Sequence, residues 1–185
     1  MPITIQHLAS HAVTPADDAE IAGLQHRCFP DAHPDASDAR SYFKQLPHAR
    51  FIARNEHGQL LAHLGLDHRV IRVGDRVIPI LGLIALCVDK PARRQGLATR
   101  LLHEAEQLAR QAPAQIEFLL LITDIPAFYQ PHGFHQVPPT DTRFLAIDER
   151  RIHSVIQHLE HELMAKPLSN QPWPDGPIDL LGYLF

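Results

Sequence analysis

The feature that most constrains this chain is a run of apolar residues, Val77 to Val88, that passes directly into a basic turn and an amphipathic helix. From Leu81 to Leu86 the run loses polar alternation, as expected of a strand buried on both faces. Pro79 and Gly82 predict an irregularity in it, since Pro removes a ladder donor and Gly marks bulges. It ends at Asp89-Lys90-Pro91-Ala92-Arg93-Arg94-Gln95-Gly96, after which Leu97, Leu101, Leu102, Ala105, Leu108 and Ala109 fall on one helical stripe reaching about Gln111. The first amides of such a helix lack intrahelical partners and sit at the positive end of its dipole, so the turn reads as an anion site.

The rest of the chain supplies a mixed framework. Ile3 to Leu8 alternates as a strand, and Thr14-Pro15 with Asp17 and Asp18 opens a helix to about Cys28. Phe29 to Asp35 reads as a loop and Ser37 to Leu46 as a short helix. Ala49 to Arg54 and Leu60 to Val73 read as strands, and Gly74-Asp75 turns the second of these into a hairpin with Arg76 to Val88. Ile116 to Ile122 is a further apolar strand, followed by a short helix that starts near Pro126, holds Phe128 and Tyr129, and stops at Gly133. Phe134 begins another strand, and Arg143 to Ile147 reads as one more. Beyond these the spacing of Ile152, Val155, Ile156, Leu159 and Leu163 predicts a helix from Asp148 to about Lys166. Pro167 to Pro177 is a connector and Ile178 to Phe185 a terminal strand. The alternation of helices and strands on one core predicts an α/β domain spanning 1–185.

Bulk properties narrow the function. At 185 residues the chain suits one domain with a sizeable core. A net charge of −4 gives no support to nucleic-acid binding. No apolar stretch is long enough to span a bilayer, and no signal peptide is read at the N-terminus, so no membrane partner is expected. The 2 cysteines, Cys28 and Cys87, lie far apart without a CxxC spacing, which fits a reduced, cytoplasmic setting. Although 14 histidines are present, His132 and His135 straddle Gly133, and His158 with His161 lacks a third ligand at usual spacing. No metal site is therefore expected, and Cys87 reads as a small buried residue.

Two separated motifs give the chain a family resemblance. Arg93-Arg94-Gln95-Gly96-Leu97-Ala98, following Leu86-Cys87-Val88, is similar to the pyrophosphate turn [Q/R]-x-x-G-x-[G/A] of the GNAT superfamily of acyl-CoA-dependent N-acyltransferases. Phe128-Tyr129-Gln130-Pro131-His132-Gly133-Phe134 resembles that family's x-Y-x-x-x-G-F helix. The resemblance covers about 1–147, with the expected helix and strand of 148–185 beyond it. It implies an acyl-CoA N-acyltransferase fold, an α+β domain whose mixed, mostly antiparallel sheet splays at the cofactor and is flanked by helices.

The resemblance also implies roles. Arg93, Arg94, Gln95, Gly96, Leu97, Ala98 and Thr99 would hold the diphosphate of coenzyme A, and the edges of Leu86, Cys87 and Val88 its pantetheine arm. Tyr129 would act as general acid on the departing thiolate, and the amide near Leu86 would polarise the thioester carbonyl. The general base is open: many relatives carry a Glu in the splayed strand where this chain has Ile84, and Glu117, His68, Asp67 and a water chain compete for the part. The expected reaction is acetyl transfer from acetyl-CoA to a primary amine of a small molecule. A peptide or protein amine, a catalytically silent acyl-CoA-binding module, and a nucleotide-binding protein are the alternatives. The last lacks GxxxxGK[ST] and GxGxxG patterns. The terminal strand is open to pairing within the domain or with a second chain, so a homodimer also stays open.

Overall fold

The computed structural model describes residues 2–30, 40–42, 45–112, 116–148, 151–159 and 162–184. Among the described residues, ten strands and three α-helices follow one another as β1 (Ile3–Ala9), α1 (Pro15–Cys28), β2 (Ala49–Asn55), β3 (Leu60–Val73), β4 (Arg76–Val88), α2 (Leu97–Gln111), β5 (Phe118–Ile122), α3 (Pro126–Tyr129), β6 (His135–Gln136), β7 (Asp141–Asp148), β8 (Arg151–His158), β9 (Leu163–Pro167) and β10 (Ile178–Tyr183). The hydrogen-bonded order is β6-β9-β5-β4-β3-β10-β7-β8, with β2 on β3 and β1 on β2. The sheet is mixed and mostly antiparallel; the parallel pairs are β4 with β5 and β10 with β7. Residues cluster into two compact units, 1–67 with 84–105 and 68–83 with 106–185, and β3, β4 and α2 each run through both.

In the first unit α1 begins as its sequence dictates. Thr14 Oγ1 accepts from the Asp17 amide at 3.1 Å, and Asp17 Oδ2 accepts from the Thr14 amide at 3.3 Å. This reciprocal cap satisfies two donors, and losing it costs about 1 kcal/mol. Arg54 of β2 then reaches Asp17 at 2.8 Å and Glu20 at 2.5 Å, fixing α1 against the sheet. Ile21 and Leu24 are fully buried and pack with Ile52, Leu60 and Cys87. Each such side chain contributes about 1.5–3 kcal/mol by leaving water.

In the second unit Ile71, Ile78, Ile80, Phe118, Leu120, Leu163 and Leu180 form the core, and Trp173 meets Phe118 edge-on at 5.0 Å. Lys166 of β9 bonds Glu106 of α2 at 2.6 Å, and Arg110 bonds the same carboxylate at 2.7 Å.

The expected helix over 148–166 does not exist. Arg151–His158 is a strand that pairs with Asp141–Asp148 in continuous antiparallel register, and Leu163–Pro167 is a strand on β5. Ile152, Val155 and Ile156 are β-branched and suit a pleated strand, and their three- and four-residue spacing imitates a helical stripe. Leu163, Met164 and Ala165 are buried in succession, as on a strand covered on both faces. Half of the expected short helix at Ser37 to Leu46 lies outside the described residues; its described members, Arg40–Tyr42, Gln45 and Leu46, are not helical.

Candidate cofactor and acid site

Pairing of β4 with β5 runs from Ile80↔Phe118 to Gly82↔Leu120 and ends there, while β4 continues to Val88. The irregularity expected at Pro79 and Gly82 sits further on, at Ala85, whose φ of 50° is left-handed. An L-residue there is strained by roughly 1–2 kcal/mol. The compensation comes from β3: the fully buried His63 donates from Nδ1 to the Ala85 carbonyl at 3.0 Å. Burial lowers the His63 pKa to about 4, so the ring is neutral at ordinary pH. Nε2 then carries the lone pair, and it is buried without a hydrogen-bond partner among the described residues.

Beyond Ala85 the strand end is clamped. The Val88 carbonyl accepts from Arg93 Nε at 3.1 Å and from the Cys28 thiol at 3.5 Å, while the Asp89 amide donates to Leu61 O at 2.8 Å. Arg93 is therefore a clasp that folds the turn back on β4, a job its sequence position did not reveal. It also lies 4.0 Å from Cys28 Sγ, and Cys28 and Cys87 hydrogen-bond to each other. The Cys87 donor and Arg93 draw the Cys28 pKa down to about 6, while the same pairing and burial push Cys87 up.

The turn itself is exposed from Arg93 to Gly96. Arg94 has φ 63° and Gly96 φ 74°, and left-handed residues in so short a segment turn backbone amides towards one side, the geometry of an anion-binding nest. A Cβ built on Gly96 meets nothing within 4 Å, so the surface above it is open to a ligand. Buried Leu97 starts α2, whose first main-chain bond is Arg100 N–H to Gly96 O at 3.0 Å. The amides of Leu97 and Ala98 thus precede the helical ladder, as an anion site at a helix start requires.

Tyr129 belongs to the second unit. It closes α3, is 9% exposed, and meets Phe128 edge-on at 4.9 Å and Phe134 at 5.8 Å. Burial, followed by the charge of Asp124, raises its pKa to about 12. Gly133 has φ 82° and passes 3.3 Å, measured from a built Cβ, from the Lys166 chain. Both the conformation and the space there suit glycine, which explains the Tyr-x-x-x-Gly-Phe spacing in physical terms.

The base candidates are placed differently. Glu117 stands just before β5, level with Pro79, and is held by Arg76 at 2.9 Å. His68 is exposed on β3. Asp67 is 2% exposed and receives Gln45 Nε2 at 3.0 Å and His48 Nδ1 at 3.0 Å. His48 keeps 59% of its side-chain surface in solvent, so a buried carboxylate orients an accessible imidazole. The sequence signal for His48 was weak, because the pair is joined by register: the His48 amide bonds Leu66 O, one step beyond Ala49↔Leu66. No group of three or more potential metal ligands occurs among the described residues. No described helix is long and apolar enough to cross a membrane.

Against known proteins, a family model described as an acetyltransferase (GNAT) domain matches residues 10–137. No curated protein matches in sequence. Among solved structures, the chain resembles the GNAT family N-acetyltransferase YhbS from Escherichia coli in complex with CoA, at 18% identity and TM-score 0.64, over 97% of this chain and 88% of that one. It also resembles a GNAT family acetyltransferase from Brucella melitensis in complex with acetyl-CoA, at 17% identity and TM-score 0.60, over 96% and 94%. An acyl-CoA N-acyltransferase from Pseudomonas aeruginosa matches at 17% identity and TM-score 0.60, over 89% and 99%.

Proposed function

Because this chain belongs to the GNAT acetyltransferase family, we propose that it transfers an acetyl group from acetyl-CoA to a primary amine of a small molecule. The observation that carries this reading is the exposed turn with left-handed Arg94 and Gly96 opening α2 beyond the end of β4–β5 pairing. The backbone amides of Gly96, Leu97, Ala98 and Thr99 would hold the diphosphate, with Arg94 and Gln95 at its rim. Arg93 would keep the turn in shape through Val88. Leu86 and Cys87 lie along the strand end that would flank the pantetheine arm. The cosubstrate, when bound, supplies an activated thioester.

This chain's residues then handle protons and charge. The Leu86 amide donates to the thioester carbonyl oxygen, favouring attack by the amine nitrogen. Tyr129 gives its hydroxyl proton to the sulfur as the carbon–sulfur bond breaks; its raised pKa keeps that proton in place until then. The amine's proton passes to an imidazole: His68, or His48 with its tautomer set by Asp67. Glu117 is not given this role, because its carboxylate is already engaged by Arg76 at 2.9 Å. The chain is read as one acetyltransferase domain acting in the cytoplasm.

Thiol release from acetyl-CoA across a panel of amines, for wild type and Tyr129→Phe, tests the reading. Turnover with at least one amine, lost in the variant while acetyl-CoA still binds, supports it. Binding without turnover on any amine would favour a silent acyl-CoA-binding module.

A further inference from the structure

β8 is an edge strand with an unusual surface. Among the described residues it pairs with β7 alone, and seven of its eight residues are exposed. Edge strands are normally blunted by Lys, Pro, inward charge, bulges or brevity, because unpaired N–H and C=O groups recruit other strands. β8, reading Arg151-Ile152-His153-Ser154-Val155-Ile156-Gln157-His158, has no Lys, Pro or acidic residue, and its register with β7 has no bulge. Ile152 is 61% and Ile156 58% exposed, among the largest exposures of any apolar side chain described. Both fall on the face that also carries Ser154, while Val155 on the opposite face packs against the core. Across the ladder, Leu145 and Ile147 of β7 stand opposite Ser154 and Ile152 and extend the apolar face.

The sequence of this edge complements itself. Antiparallel pairing with a second copy about Ser154 sets Ile152 opposite Ile156 of the other chain, twice, by symmetry. It sets Arg151 opposite Gln157, His153 opposite Val155, and Ser154 opposite its own counterpart. Within Arg151–Gln157 no like charges face each other, which would be destabilising in a cross-strand pair, and the two Ile–Ile pairs are the favourable kind. A two-fold axis requires such self-complementarity of an isologous interface. We propose that the chain forms a homodimer by antiparallel pairing of β8 with β8 of a second copy, in the register that opposes Ile152 to Ile156.

Sedimentation equilibrium and light scattering on the full chain read the state directly. The wild type is expected at twice the chain mass of 20.8 kDa. Ile152→Glu and Ile156→Lys, each placing a lone charge against an isoleucine, are expected to give monomers. The double variant is expected to restore the dimer, because the two new charges oppose each other across the axis. Unchanged circular dichroism would show that the variants fold. A second measurement uses Ser154→Cys, expected to give an intermolecular disulfide through residue 154, located by peptide mapping, since paired positions across strands lie about 4.5–5.5 Å apart. A monomeric wild type overturns the proposal, as does a dimer that survives both single substitutions. A double variant that stays monomeric, or failure of residue 154 to cross-link, overturns the register.

Discussion

His63 donates from Nδ1 to the carbonyl of Ala85 at 3.0 Å and so pins the one left-handed residue of β4. The ring is buried and neutral, and protonating it would leave a charge in the core without solvent. Its pKa is about 4 in the folded chain against an ordinary 6.5, so the unfolded chain binds the extra proton between those values. The stabilisation is complete above pH 6.5 and is lost as pH falls towards 4, by about 1.4 kcal/mol per pH unit and roughly 3 kcal/mol in all. Urea unfolding from pH 7 to pH 4 should show this slope in the wild type and a shallower one in His63→Gln. Equal slopes would contradict it.

Cys28 should be the reactive thiol. With its pKa lowered to about 6 by the Cys87 donor and by Arg93, its alkylation by iodoacetamide should reach half its maximal rate near pH 6, not at the ordinary thiol value. Cys87, 4% exposed, should stay unmodified in the folded chain. Replacing Cys87 by Ala should move the Cys28 midpoint upward; an unmoved midpoint would contradict the pairing.

Tyr129→Phe should lower turnover by about 10²–10⁴-fold, the usual contribution of a positioned acid, with little change in acetyl-CoA affinity. Because the Tyr129 pKa is raised to about 12, the wild-type rate should show no loss attributable to this group on the alkaline side below about pH 11. A fall in the Phe variant matched by an equal loss of cosubstrate affinity would assign Tyr129 to packing against Phe128 and Phe134.

Thr14→Ala should cost about 1 kcal/mol of stability, because it leaves the Asp17 amide in the first α1 turn without its side-chain acceptor. Thermal unfolding checks this, and a change within error would mean that Arg54 alone secures the helix start.

What the sequence reveals depends on how local the cause is. The β3–β4 hairpin was legible to the residue because Gly74-Asp75 interrupts two β-branched runs, and α1 because its cap lies within Thr14 to Asp17. The turn ahead of α2 was legible because a glycine and the start of a helical stripe stand in adjacent residues. Arg151–His158 was misread because an edge strand exposed on both faces carries no clean alternation, and its isoleucines fell by chance on a helical period. The pairs His63 with Ala85, His48 with Asp67 and Cys28 with Cys87 are products of register and packing between distant segments. No spacing announces them. Arg93, by contrast, was noticed for its charge, and its side chain serves mainly as a clasp on Val88.

Coenzyme A binding at the turn is the claim on which the rest depends, and isothermal titration of the purified chain with coenzyme A, for wild type and Gly96→Val, tests it most directly. A β-branched residue at φ 74° is strained and crowds the opening above Gly96. The expected result is saturable binding by the wild type, and loss of affinity by at least about 100-fold in a variant whose circular dichroism is unchanged, equal to about 2.7 kcal/mol of binding free energy. A wild type that binds no coenzyme A, or a folded Gly96→Val that binds it equally well, would contradict the account.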